Sequence, residues 1–167
     1  MAWIAERRRR SRFESVVLPH LDAAYALARW LTRNDADAAD VVQEALLRAF
    51  RYFDTYREGD AKSWILRIVR RTCYSWLERN RPADVVPLEE EDGPDEGVAS
   101  APRAVGDTEA LPAPLREVIV LRELQELGYR EIAEISGVPI GTVMSRLHRA
   151  RSALRRAWEE KDIGDAM

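Results

Sequence analysis

Apolar residues along this chain recur every three or four positions, the period of amphipathic helices rather than strands. Phe13, Val17, Leu21, Ala24, Leu27, Ala28 and Leu31 predict a helix over about 13–31, with Pro19 as its point of interruption. Thr32-Arg33-Asn34 breaks the pattern. Asn34 or Asp35 suits the cap of a second helix reaching about Phe53. Its first turns carry Asp35, Asp37 and Asp40, as the helix dipole favours, and Ala38, Val41, Val42, Ala45, Leu46, Ala49 and Phe50 face inward. The polar stretch Asp54–Lys62, with Gly59 in it, reads as a loop. A third helix, from Ser63 to about Arg81, has Trp64, Ile65, Ile68, Val69, Thr72, Trp76 and Leu77 as its seam and Arg67, Arg70, Arg71, Arg79 and Arg81 outside. Pro82 ends it.

Residues 83–110 lose the periodicity. They hold three prolines, three glycines and the acidic run Glu89–Asp92, the composition of a flexible linker. Helical pattern resumes at Leu111. Pro114 suits a first helical turn, and Leu115, Val118, Ile119, Leu121 and Leu124 form its seam. Gln125–Gly128 turns the chain into Tyr129–Trp158, two helices around a tight turn. Ala133 permits a close crossing, Gly137 supplies the positive φ and Pro139 separates the helices, while Ile132, Val138, Val143 and Leu147 fill the angle between them. The tail from Glu159 is polar and predicted to fray. The expected fold is all-α: a helical domain over 11–82, an acidic linker over 83–110 and a second helical domain over 111–160.

Charge sharpens this picture. The whole chain carries −3, but residues 1–82 carry +5, 83–110 carry −8 and 111–167 balance. An acidic middle hides basic surfaces on either side, so net charge is a poor guide to partners. Between Ile140 and Trp158 stand Arg146, Arg149, Arg151, Arg155 and Arg156 and no acid. Val143, Leu147, Ala150 and Leu154 make one apolar stripe there, with Ser145, His148, Arg149 and Ser152 opposite. A basic helix with one apolar seam, following a tight turn, suits the major groove and its phosphates. Tyr56 and Arg57, beside the basic third helix, have the chemistry that holds single-stranded DNA, in which aromatics stack bases and cations track the backbone. Tyr56 and Trp64 equally suit the edge of a core.

Cys73 is the only cysteine, which excludes an intrachain disulfide and fits a core thiol. No apolar run approaches the ~20 residues of a membrane span, and Met1–Phe13 lacks the apolar segment of a signal peptide. Arg7–Arg10 fits phosphate or lipid contact, or a frayed, solvated end. No grouping of His, Cys and acids, glycine-rich phosphate loop or carboxylate pair suggests an enzyme, and no cofactor or metal is expected.

Two stretches carry a specific resemblance. DAADVVQEALLRAFRYFDTY at 37–56 with SWILRIVRRTCYSWLERNR at 63–81 resembles region 2 of bacterial sigma factors, and LPAPLREVIVLRELQELGYREIAEISGVPIGTVMSRLHRAR at 111–151 resembles region 4. With little between them, the chain is similar to the extracytoplasmic-function sigma factors. The resemblance implies a promoter-specificity subunit that binds core RNA polymerase, working in the bacterial cytoplasm. Asp37, Asp40, Gln43 and Glu44 would dock on the β′ coiled coil. The −10 element would fall to Tyr56, Arg57, Lys62, Ser63, Arg67, Arg70 and Arg71, with a flipped base held at the 58–63 loop. The −35 element would fall to Thr142, Met144, Ser145, Arg146, His148, Arg149 and Arg151, and region 4 would also meet the β flap. An anti-sigma protein is a common further partner. The sequence departs from the family at Arg71, where asparagine is frequent, and at Met144, where a lysine or arginine is common. The second departure moves base reading toward Ser145, His148 and Arg149 and leaves Thr142, Arg146 and Arg151 to phosphates. The other reading is a stand-alone helix-turn-helix regulator whose N-terminal helices dimerise.

Overall fold

A computed structural model of the chain describes residues 1–85 and 111–166, whose regular structure is all helical. The linker expected at 83–110 lies largely outside the described residues; 83–85 belong to a short 3-10 turn, Pro82–Val85. Among the described residues no helix is long and apolar enough to cross a membrane.

The first helix, α1, spans Ala2–Val17, so the arginine run is helical rather than frayed. Arg9 explains why. Its Nη2 donates to the Phe50 carbonyl at 2.5 Å, its Nε to the Asp54 carboxylate at 3.2 Å, and its guanidinium lies 4.4 Å from the Phe50 ring centre. One turn on, Phe13 packs edge-on against Phe50 and Phe53 at 5.2 and 5.3 Å. Arg7, Arg8 and Arg10 stay exposed. Pro19 falls in a 3-10 turn, Leu18–His20, that separates α1 from α2, Leu21–Thr32.

Asn34, not Asp35, caps α3 (Asp35–Arg51), its side chain accepting from the Asp37 amide at 3.0 Å. Helix α4 runs Ala61–Asn80. Its cap is Asp60, which accepts from the Ser63 amide at 3.2 Å and the Ser63 hydroxyl at 2.5 Å. Helices α2, α3 and α4 pack on one another around Ala24, Leu27, Ala28, Leu31, Ala38, Val41, Ala45, Ala49, Ile65, Leu66, Val69 and Leu77. The many alanines let these helices approach closely. Cys73 joins this core, and burial pushes its thiol pKa up, so it is inert rather than reactive. Trp64, Ile68 and Trp76, expected in the seam, are only partly buried; Leu66 and Cys73 take the deeper positions.

In the C-terminal part, α5 (Ala113–Ile119) continues into a π turn, Val120–Leu124, closed by the Gln125 amide on the Val120 carbonyl at 3.0 Å. The extra residue shifts the phase. Leu124, expected inward, is therefore 53% exposed and Leu127 is buried instead. Every residue from Leu115 to Leu121 is buried, because α5 lies against α2 on one side and α7 on the other. Helix α6 covers Tyr129–Ser136 and α7 covers Ile140–Asp165. Gly137 takes φ +69° between them, and its amide donates to the Ala133 carbonyl at 2.9 Å. Helix α7 continues past Glu159 rather than fraying there. The two helical groups share one core: α6 packs on α4 and α5 on α2.

Nothing stands within 4 Å of where a Cβ would sit on Gly137, so its backbone conformation alone demands glycine. Gly137→Ala is expected to cost about 1–2 kcal/mol, read from denaturant melts. The Ser63 hydroxyl, then the Ser63 and Lys62 amides, hold Asp60 below its ordinary pKa of 3.8 against the opposing effect of burial. A depressed carboxylate stabilises the fold above pH 3.8, and that contribution disappears as pH falls through the lower folded value. Asp60→Ala should cost about 1 kcal/mol at neutral pH and less once the wild-type carboxylate is protonated, measured by melts across the acid range.

Candidate nucleic-acid and polymerase interfaces

An aromatic stack fixes the loop after α3. Tyr56 lies parallel to Phe53 (5.8 Å, 8°) and 5.1 Å from Trp64, and its hydroxyl donates to the Gly59 carbonyl at 3.3 Å. Tyr56 is thus half-buried, with part of its surface open and its orientation set by the core beneath. Arg57 and Arg71 are exposed. The other residues of the expected −10 set are turned elsewhere. Ser63 is buried against Asp60, and Arg67 is half-buried with its Nε enclosed and without a hydrogen-bond partner. Lys62 Nζ donates to the Gln125 carbonyl at 3.2 Å, across the boundary between the helical groups. Arg70 crosses the same boundary to pair with Glu117.

The acidic face of α3 is partly engaged within the chain. Asp37 pairs with Arg81 at 3.0 Å, while Glu44 pairs with Arg48 at 2.8 Å and Arg79 at 3.6 Å. Arg81, expected outside, also donates to the Thr32 carbonyl, so its guanidinium is drawn inward to close the end of α2. Asp40 and Gln43 are exposed.

Helix α7 buries Val143, Leu147 and Ala150 and presents Met144, Ser145 and His148 to solvent. Met144 is 52% exposed, and the Ser145 hydroxyl donates to the Thr142 carbonyl at 3.1 Å. Tyr129, Met144, Leu147, His148, Arg151, Ser152 and Arg155 line one groove. Thr142, Arg146 and Arg149 are half-buried. Arg151 pairs with Glu123 at 2.6 Å, and that hydrogen bond raises its pKa further. Arg146 lies close enough to Tyr74 for its charge to act on the phenol.

The sequence reading missed Glu117, which is fully buried and holds the two groups together. Its carboxylate receives the Arg70 guanidinium, the Tyr74 hydroxyl at 2.9 Å and the Ser136 hydroxyl at 3.1 Å. Burial and then the Glu117 charge raise the Tyr74 pKa well above its ordinary value, so the phenol stays a proton donor. Burial works against the charge of Arg70, but Glu117 and Tyr74 together offset it and the pKa is raised. Arg116, also fully buried, donates to the carbonyls of Leu111 at 2.9 Å and Leu31 at 3.1 Å, the latter at the C-terminal end of α2. The available signal was an Arg-Glu pair set inside the apolar run from Leu115 to Leu121. Among the described residues no cluster of His, Cys or acids could hold a metal.

Comparison with known proteins agrees with both halves of this arrangement. The family model for Sigma-70 region 2 matches residues 16–82, and that for Sigma-70 region 4 matches 108–154. The ECF RNA polymerase sigma factor SigE of Mycolicibacterium smegmatis is 33% identical over 154 residues, covering 86% of this chain and 60% of the relative. The ECF RNA polymerase sigma-E factor of Escherichia coli is 38% identical over 138 residues, covering 71% and 72%. Among solved structures, the sigma factor RpoE of Bartonella quintana, in complex with the anti-sigma factor NepR, superposes with a TM-score of 0.69 at 28% identity, covering 89% of this chain and 97% of that one. The chain belongs to the extracytoplasmic-function sigma factors, promoter-specificity subunits of the sigma-70 family.

Proposed function

We infer that this chain directs core RNA polymerase to promoters by dividing the work between its two helical groups, which lets a larger enzyme supply the catalysis. Residues 11–82 bind the polymerase and the −10 element, 83–110 tether, and 111–160 bind the −35 element. The observation that carries this reading is the exposed edge Met144-Ser145-His148, set by Gly137 on the outer face of a helix-turn-helix. A side chain on the N-terminal half of such a helix reaches base edges, with Arg149 beside it, while Thr142, Arg146 and Arg151 are left to phosphates. For the −10 element, Tyr56 offers a ring held in place by Phe53 and Trp64, with the exposed Arg57 next to it in the chain and the exposed Arg71 on α4 for the backbone. A preset aromatic that receives an unstacked base lowers the cost of opening the duplex. Asp40 and Gln43 lead the docking on β′, flanked by Asp37 and Glu44. The B. quintana relative is held by an anti-sigma factor, and a protein of that class is the expected regulator here. Its place of action is the cytoplasm, where the polymerase works.

Two substitutions that change charge test the division. His148→Glu places an acid at the exposed groove edge. It should reduce promoter-specific transcripts by at least about tenfold in a reconstituted assay, the scale of losing one good base contact, while binding to core polymerase is retained; loss of core binding instead would overturn the assignment. Asp40→Lys should weaken association with core polymerase in a pull-down without shifting the melting curve. Unchanged association would remove α3 from the docking surface.

A further inference from the structure

Two of the cations assigned to the −10 element are ones this chain uses on itself. Lys62 and Arg70, from the −10 set, end on Gln125 and Glu117 of the other helical group. The Glu117 carboxylate gathers a guanidinium and two hydroxyls, the kinds of donor that a DNA phosphate takes from a protein. We propose that Glu117 is an internal stand-in for a nucleic-acid phosphate, which latches region 4 onto α4 and withholds Arg70 and Lys62 from the promoter until the two regions part.

The surroundings fit a latch that opens rather than a permanent core. Beside Glu117, polar side chains of one group end on backbone carbonyls of the other: Lys62 on Gln125, Arg33 Nη2 on Leu111 at 3.4 Å, and Arg116 on Leu31. Water can replace each of these partners when the groups separate. Arg67, one turn from Arg70, is left with an enclosed and unsatisfied Nε, a cost carried by the packed arrangement. By contrast the edge Met144-Ser145-His148 stays exposed in the closed arrangement. The closed chain therefore keeps part of its −35 reader outside, with Arg57 and Arg71, while Lys62 and Arg70 are engaged within it, so the −10 surface is only partly available. Because one Arg70 cannot serve Glu117 and a phosphate together, closure and −10 binding exclude each other.

The proposal rests on the −10 assignment of Arg70 and Lys62, and the test separates the two. The full-length chain and its Glu117→Gln variant are compared by small-angle scattering, far-ultraviolet circular dichroism and binding of a fluorescent oligothymidylate over a range of salt. The variant should keep its helicity, increase its radius of gyration and bind the oligothymidylate at least about tenfold more tightly. Its affinity should fall more steeply with salt, by roughly 0.7 in the log–log slope for each additional phosphate neutralised. An unchanged radius, with or without tighter binding, overturns the latch. A larger radius with unchanged affinity and slope also overturns the proposal, and assigns the failure to the −10 reading of Arg70 and Lys62. Should Glu117→Gln lose helicity, Tyr74→Phe removes a single donor to the carboxylate and should move radius and salt slope in the same direction by a smaller amount; no movement there overturns it.

Discussion

A carboxylate removed entirely from water governs how this molecule is put together. Burying such a charge costs several kcal/mol, and the cost is met only where the remaining lone pairs find donors. Glu117 finds three, two from α4 and one from the end of α6. Such an ion pair adds little net stability over an apolar contact, but breaking it by removing one partner costs about 3–5 kcal/mol. It therefore acts on position more than on strength. Region 4 has one seat on region 2, the seat that places Ser136, Arg70 and Tyr74 around the same carboxylate. Arg116, the neighbour of Glu117, reinforces that choice by reaching from α5 to the carbonyl end of α2, where a cation is favoured.

The same economy of charge appears elsewhere. Arg9, in a run of four arginines, is the one held against Phe50 and Asp54, and it converts a polar N-terminal segment into a helix packed beside the aromatic loop. Arg81 closes the end of α2 while pairing with Asp37 on α3. In each case a guanidinium supplies several donors in a plane, so one side chain satisfies a backbone carbonyl and a carboxylate together. Lysine, with a single charged point, does this less well, which suits a chain in which nearly every cation is arginine.

The functional surfaces follow from how the two groups meet. Helix α6 lies on α4, so the cations of α4 nearest α6 are covered, while Arg57 and Arg71 stay outside. Helix α7 turns its apolar stripe to α5 and α6 and leaves its opposite edge in solvent. Core-facing and partner-facing residues are thus separated by helix phase within each group, and by domain packing between them.

Much of this was present in the order of residues. Helical periodicity alone placed α2, α3, α4, α6 and most of α7, because an amphipathic helix must repeat its apolar face every three to four residues. Gly137 announced its turn because few other side chains tolerate that φ, and the motifs around it named the family. What the chain could not reveal was which cations are free. Arg70, Arg71 and Arg81 look alike in sequence, since each sits in or at the end of a basic helix, yet one is locked to Glu117, one is exposed and one closes α2. Nor could it show that α5 is buried on all sides or that a π turn shifts Leu124 outward. Those outcomes depend on neighbours distant along the chain, as for Arg70 with Glu117 (47 apart) and Arg116 with Leu31 (85 apart). Local pattern defines a helix because its hydrogen bonds are local. The fate of a charge is settled by whatever the packed chain brings beside it, and only the tertiary structure decides that.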